Sequence, residues 1–231
     1  MKHKISIVTV SYNSKDWLEL LLESIKLYSS EFVEIIVIDN SNSPINIAHD
    51  IHYVYLGRNI GHGAGLNLGA ELSQTPYTFF LDVDCHFLKS GWEENLLKLS
   101  DNYDVIVGKG VKEKPIRPAC MFMKTSVAQK YDWRPTPGYQ GHRITPEGFD
   151  VGIKAYYELM NDKVPLKLLE SRKSHYMTLS GEEWLLQNEA FLYHHWHGAH
   201  LKERQKDFSE DLNLNKDNLF RQIPWRLANN L

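Results

Sequence analysis

The segment FFLDVDCHFL, Phe79 to Leu88, places two carboxylates, Asp82 and Asp84, one residue apart at the end of an apolar run. On a strand, side chains alternate between faces, so the two acids would point the same way with Cα atoms roughly 6.5 Å apart. At an effective dielectric of ~20, two negative charges at that distance repel by roughly 2.5 kcal/mol. Solvent, a buried Arg or Lys, or a bound cation must offset that repulsion. With 13 Asp in 231 residues, chance alone supplies about 0.7 such triplets, so the spacing means little until its place in the fold is known. A second unusual stretch is YHHWHGAH, Tyr193 to His200, which gathers four of the 11 histidines within seven positions. If it is extended, His195 and His197 lie on one side.

The elements that must position these groups follow from periodicity. Lys4 to Val10 (KISIVTV) is a β-branched strand, followed by the polar loop SYNS. Ser14 can cap the next helix, with Asp16 in its first turn, and Leu18, Leu21, Leu22, Ile25 and Tyr28 share one face. Val33 to Ile38 is a second strand ending at Asp39, and DNSNSP is turn chemistry. His52 to Leu56 is a third. RNIGHGAGLNLGAELS then reads as a glycine-rich loop entering a helix that ends near Ser73, with Gly61, Gly63 and Gly65 permitting close backbone approach to a ligand. Tyr77 to Leu81 is the strand that delivers the Asp pair, and Ser90 with Glu93 forms a capping box for a helix through Leu99. Asp104 to Val107, Cys120 to Lys124 and Val164 to Leu169 read as strands, and Phe149 to Asn161 has helical spacing. Arg134 to Pro146, rich in Pro, Gly and aromatics, reads as a loop over the site, and the chain after Ala199 as helical.

Alternating strands and helices over the first 110 residues imply an α/β fold, with a Rossmann-like, mostly parallel central sheet flanked by helices. Ligands bind such sheets at the carboxyl ends of the strands. Here those ends carry Ser11-Tyr12-Asn13, Asp39-Asn40, Arg58-Asn59 and Asp82-Val83-Asp84. Their convergence on one rim is the argument that the spacing of the Asp pair could not make alone. No convincing linker divides the chain, so residues 1–231 read as one domain, with a ligand-binding half at 1–110 and a second half at 111–231.

Composition sets further bounds. A net charge of −3 gives no general attraction for nucleic acid or anionic membrane. No apolar run approaches the ~20 residues of a membrane span. MKHKISIVTV is basic and then apolar, but no small-residue cleavage site follows it, and it reads as a strand rather than a leader. Two cysteines, Cys85 and Cys120, make no disulfide framework. A cytoplasmic protein, or one peripheral to a membrane, is the expectation. GHGAG is not a phosphate-binding Walker loop, because no Gly-Lys-Ser/Thr follows.

Four pieces in order, SIVTVSYNS, VIDNS, RNIGHGAGLNLGA and FFLDVD, make the N-terminal half resemble family 2 glycosyltransferases of the GT-A fold. The resemblance implies a glycosyltransferase, metal-dependent and inverting, that moves a sugar from a nucleoside diphosphate sugar of the UDP or dTDP type to an acceptor hydroxyl. Under it, Asp84 ligates Mn²⁺ or Mg²⁺, and Asp82 holds the ribose or a metal-bound water. The mutual repulsion of the pair then becomes attraction for a dication. Members of the fold often add a histidine, for which His197 is the first choice and His195 the second. A His ligand would favour Mn²⁺ over Mg²⁺. Thr9, Ser11 and Tyr12 would line the nucleoside pocket together with Arg58, Asn59, Gly61 and Val83. Asp39 would accept a base N–H, its alternative role being a cap for the DNSNSP turn. The general base is expected to be Asp150, with Glu182 and Glu183 as the other candidates; helix capping is the plainer role for each. Asp150 lacks the acidic neighbour that relatives carry. The acceptor, whether glycan, lipid-linked sugar, protein or modified nucleic acid, is not written in the sequence. A nucleotidyltransferase would need a basic glycine-rich loop where this chain has SYNS, and a catalytically inactive nucleotide-sugar-binding module would show no turnover to lose when an acid is replaced.

Overall fold

A computed structural model describes residues 4–30, 33–111, 114–135, 151–176 and 179–195. Asp150, His197, most of the expected loop at 134–146 and everything after His195 lie outside them. The elements are β1 (Ile5–Ser11), α1 (Lys15–Tyr28), β2 (Val33–Asp39), β3 (His52–Tyr55), α2 (His62–Leu72), β4 (Tyr77–Asp82), β5 (Cys85–Phe87) and α3 (Trp92–Leu99). They continue with β6 (Val105–Val111), β7 (Lys114–Lys124), α4 (Thr125–Lys130), α5 (Ile153–Asn161), β8 (Leu166–Leu169), β9 (Ser171–Tyr176), β10 (Leu179–Leu186) and β11 (Glu189–His195).

Seven strands form the central sheet in the order β3-β2-β1-β4-β7-β6-β8. Neighbours β3-β2, β2-β1, β1-β4 and β6-β8 are parallel, while β7 runs antiparallel to both β4 and β6. The expected mostly parallel α/β sheet is therefore present. β1 is buried along its whole length, as its ISIVTV run requires of a central parallel strand. Its two faces feed two cores. Ile5 and Ile7 pack with Phe79, Leu81, Phe87, Trp92 and Trp184 on one side. Val8 and Val10 pack with Leu66, Ala70, Phe80 and Trp133 on the other, beneath α2.

Three local expectations change. The Ser90–Glu93 capping box does not form: Gly91, at φ 82°, caps α3, and the Glu93 carboxylate instead accepts a hydrogen bond from the Ser30 backbone N–H at 2.5 Å. Ser14 caps α1 by position, but its hydroxyl donates to the Tyr12 carbonyl at 2.8 Å. The helical glycines serve packing rather than ligand approach. A Cβ on Gly65 would meet both Val10 methyls at 2.8 Å, and one on Gly63 would meet the Trp133 carbonyl oxygen at 2.5 Å.

The larger difference is a second, four-stranded antiparallel sheet, β5-β11-β10-β9. It packs through Trp184 against the central sheet, where the ring lies over Gly108, a position with no room for a Cβ. The β10–β11 hairpin turns through Gln187 and Asn188, both at positive φ (52° and 67°), as a two-residue primed turn requires.

Candidate active site

Strand register brings the sequence-singled residues together. Ser11 on β1 sits beside Asp39 on β2, and Val10 beside Asp82 on β4. The Asp pair straddles a turn: β4 ends at Asp82, and Asp84 immediately precedes β5. β5 pairs with β11, setting Cys85 opposite His194, and β10 sets Glu182 opposite His194 on its other side. The second sheet thus lays a histidine and a glutamate across the carboxyl edge of the first.

His194 is the hub. Its Nε2 lies 3.5 Å from Asp84 Oδ1 and 3.8 Å from Asp82 Oδ2, and its Nδ1 lies 3.4 Å from Glu182 Oε1. Burial works against the charged ring, yet hydrogen bonds to Asp84 and Glu182 and the charges of Asp84 and Asp82 outweigh it and push its pKa up to about 10. Arg117 Nε lies 3.8 Å from Glu182 Oε1, and His62 Nε2, at the start of α2, lies 3.4 Å from Asp82 Oδ1. Asp84 and Glu182 are both buried. Three carboxylates on so small a site favour a cation.

The donor set fits a divalent metal. One atom each of Asp84, Cys85 and His194 lies within 4.8 Å of the others, and Asp82 adjoins them through His194. Carboxylate oxygens with an imidazole nitrogen suit Mn²⁺. Cys85 is the outlier: its thiol donates to the Ala119 carbonyl at 3.4 Å, and burial first, then the charges of Asp84 and Asp82, push its pKa up. It sits in the core as a small apolar side chain.

Of the two expected histidines, His197 lies outside the described residues and His195 does not face the Asp pair. His195 is fully buried and turns away to His86, with Nε2 3.0 Å from His86 Nδ1, and its ring packs on Trp17 and Tyr193. Because Phe191, Leu192 and Tyr193 are all buried, hydrophobic alternation could not set the phase of β11, and the sequence could not tell His194 from His195. Only the opposing Glu182 and Cys85 reveal which face is the site. His62, Arg117 and Tyr53 carry no sequence signal of their own for the places they occupy.

The remaining candidates divide. The Thr9 and Ser11 hydroxyls are buried at the end of β1 with no hydrogen-bond partner among the described residues, and Asn40 Oδ1 beside them is likewise unsatisfied. An orphaned buried polar group costs about 1–3 kcal/mol, which a bound ligand or water would offset. Asp39 serves its turn: Oδ1 accepts from Ser41 N–H at 2.9 Å, and Oδ2 accepts from the Tyr53 hydroxyl and from Ile45 N–H at 3.3 Å. That leaves lone-pair capacity for one further donor. Tyr12, Arg58 and Asn59 are exposed at the rim, and the Asn59 side chain accepts from Gly61 N–H at 2.8 Å. Val83 packs into the core with Trp17, Leu18 and Val37 rather than lining the pocket. Glu182 and Glu183 cap no helix. Both lie on β10, and Glu183 is held by Arg172 at 2.6 Å and Ser174 at 2.9 Å.

Comparisons with known proteins bear on the family and the fold. A putative teichuronic acid biosynthesis glycosyltransferase of Bacillus subtilis is 31% identical over 104 residues, covering 41% of this chain and 41% of the relative. A teichoic acid poly(glycerol phosphate) polymerase of Staphylococcus epidermidis is 29% identical over 92 residues, covering 36% of this chain and 13% of the polymerase. The chain thus spans less than half the length of either relative. The crystal structure of S. aureus TarS superposes with a TM-score of 0.53 at 16% identity over 92% of this chain and 43% of that one, a likeness of fold. The family model described as glycosyl transferase family 2 matches residues 6–152, well over half of the sequence. The chain belongs to glycosyl transferase family 2.

Proposed function

We propose that this chain is a metal-dependent, inverting glycosyltransferase that moves a sugar from a nucleoside diphosphate sugar, of the UDP or dTDP type, to an acceptor hydroxyl. The convergence of Asp82, Asp84 and His194 at the carboxyl edge of β4 carries the reading. Asp84 and His194 would hold Mn²⁺, with Asp82 next to them on the donor side. When bound, the ion would neutralise charge on the departing diphosphate. Thr9 and Ser11 offer their unsatisfied hydroxyls to the nucleoside, and Asp39 has room to accept one base N–H. Arg58, exposed at the mouth of α2, supplies positive charge for the diphosphate.

Inverting transfer forms a bond from the acceptor oxygen to the anomeric carbon as the bond from that carbon to the diphosphate oxygen breaks. The acceptor proton passes to a carboxylate base. Glu182 and Glu183 are both engaged, the one by His194 and the other by Arg172. Asp150, just ahead of the segment leading into α5, is the base we assign. The acceptor is a hydroxyl-bearing molecule whose class these residues do not name. No helix among the described residues is long and apolar enough to cross a membrane. Both cysteines are free and buried, and we place the protein in the cytoplasm, in solution or at a membrane surface.

A thermal-shift panel of UDP-, dTDP- and GDP-sugars, with and without Mn²⁺, tests this. A rise in melting temperature for uracil or thymine donors that requires Mn²⁺, together with slow release of the nucleoside diphosphate, is the expected result. Equal shifts in a chelator, or none with any donor, would overturn it.

A further inference from the structure

We infer that Glu182 is a positioning residue: its buried carboxylate holds His194 by Nδ1 so that Nε2 is presented to Asp82 and Asp84. The inference rests on the metal reading of this site given above. A ligating imidazole has two nitrogens, and the partner of one fixes what the other can do. Here the pairing is built into strand register. Glu182 and His194 are directly opposed on β10 and β11, and Glu182 Oε1 stands 3.4 Å from Nδ1 on the side of the ring away from the Asp pair. Nε2 then faces Asp84 at 3.5 Å and Asp82 at 3.8 Å.

Glu182 is itself secured. Its Oε2 accepts from the Ser171 hydroxyl at 3.2 Å, and Arg117 Nε lies 3.8 Å from Oε1, supplying the charge a buried carboxylate needs. Such a carboxylate is committed to orienting the ring and is not placed to take a proton from an acceptor. Its neighbour Glu183 points to the other face of β10, against Arg172. Both partners sit on paired strands rather than loops, which holds ring orientation more tightly.

The test compares Mn²⁺ binding, read by electron paramagnetic resonance, in wild type, His194→Ala, Glu182→Ala and Glu182→Gln. Glu182→Ala should weaken Mn²⁺ binding about 10- to 100-fold. Glu182→Gln, whose amide oxygen still accepts from Nδ1–H, should restore most of the affinity. A second readout needs no variant. With Cd²⁺ standing in for Mn²⁺, the imidazole ¹H–¹⁵N correlations of the wild type should show His194 protonated at Nδ1 and coordinated through Nε2. If Glu182→Ala binds Mn²⁺ as wild type does, or His194 coordinates through Nδ1, the inference falls and the metal reading stands. If His194→Ala binds Mn²⁺ as tightly as wild type, the metal reading fails and takes this inference with it.

Discussion

Replacing Gly65 by alanine separates the two roles a glycine in α2 could have. The residue lies in the second turn of the helix whose start borders the site, and the contacts say it is there to let α2 approach β1. An added Cβ would lie 2.8 Å from both methyls of Val10, about 1 Å inside ordinary carbon contact. Because the two methyls are equally close, no single staggered rotation of the valine moves both away. Overpacking of this kind destabilises by about 1–3 kcal/mol, against which alanine gains about 1 kcal/mol over glycine in helix propensity. The net expectation is a loss of up to about 2 kcal/mol in Gly65→Ala. In a Val10→Ala background the obstruction is gone, so the same substitution should stabilise by about 1 kcal/mol. Urea unfolding of the four proteins in the double-mutant cycle measures both numbers. An equal effect of Gly65→Ala in the two backgrounds, or unchanged stability with weakened nucleotide-sugar binding, would refute the packing argument and return the glycine to the ligand.

Acid should destabilise the fold through the His86–His195 pair. Burial holds His86 down to about pKa 3, and burial together with the charges of His86 and His194 pushes His195 well below its ordinary value. The unfolded chain binds protons below pH ~6.5 that the folded chain refuses. The pair's contribution should therefore be full above ~6.5 and fall as the pH drops, by up to about 1.4 kcal/mol per pH unit for each histidine. His194, whose pKa is raised, has its opposite effect above pH ~6.5 and is level below it. Urea midpoints at pH 7, 6 and 5 read the slope, and a flat profile would contradict the buried neutral pair. Asp84→Ala and His194→Ala should each lower turnover at least about 100-fold in protein that still folds by circular dichroism at the assay temperature; near-normal turnover in either removes that residue from the site. Glu183→Gln should keep most of the activity and Asp150→Asn should lose it with donor binding intact; the reverse pattern would move the base to β10.

Much of the N-terminal half was legible because β1 and β2 are β-branched runs ended by polar residues, at Val10-Ser11 and Ile38-Asp39. That pattern fixed both the parallel sheet and the rim. The second sheet was not legible. In β11, successive buried residues hide the alternation that marks a half-exposed strand, and β10 reads as SGEEW, a helix-cap composition. The Gln187-Asn188 pair is the one local turn signal between these strands, and on its own it is weak. Consequently the sequence could not show that His194, rather than His195, is the one that faces Asp82 and Asp84, since a shift of one position on a strand moves a side chain to the opposite face. Glu182 was expected among the bases because its role depends on a cross-strand partner that sequence spacing cannot show. The glycines of α2 misled for a related reason: close approach to a ligand and close approach to a strand select the same residue.

The most direct test of the account is where a divalent ion binds. Crystals soaked with Mn²⁺ and a uridine diphosphate sugar should show an anomalous peak between Asp84 and His194, with the diphosphate against it. A peak elsewhere, or a nucleotide bound equally well in the presence of a chelator, would contradict it.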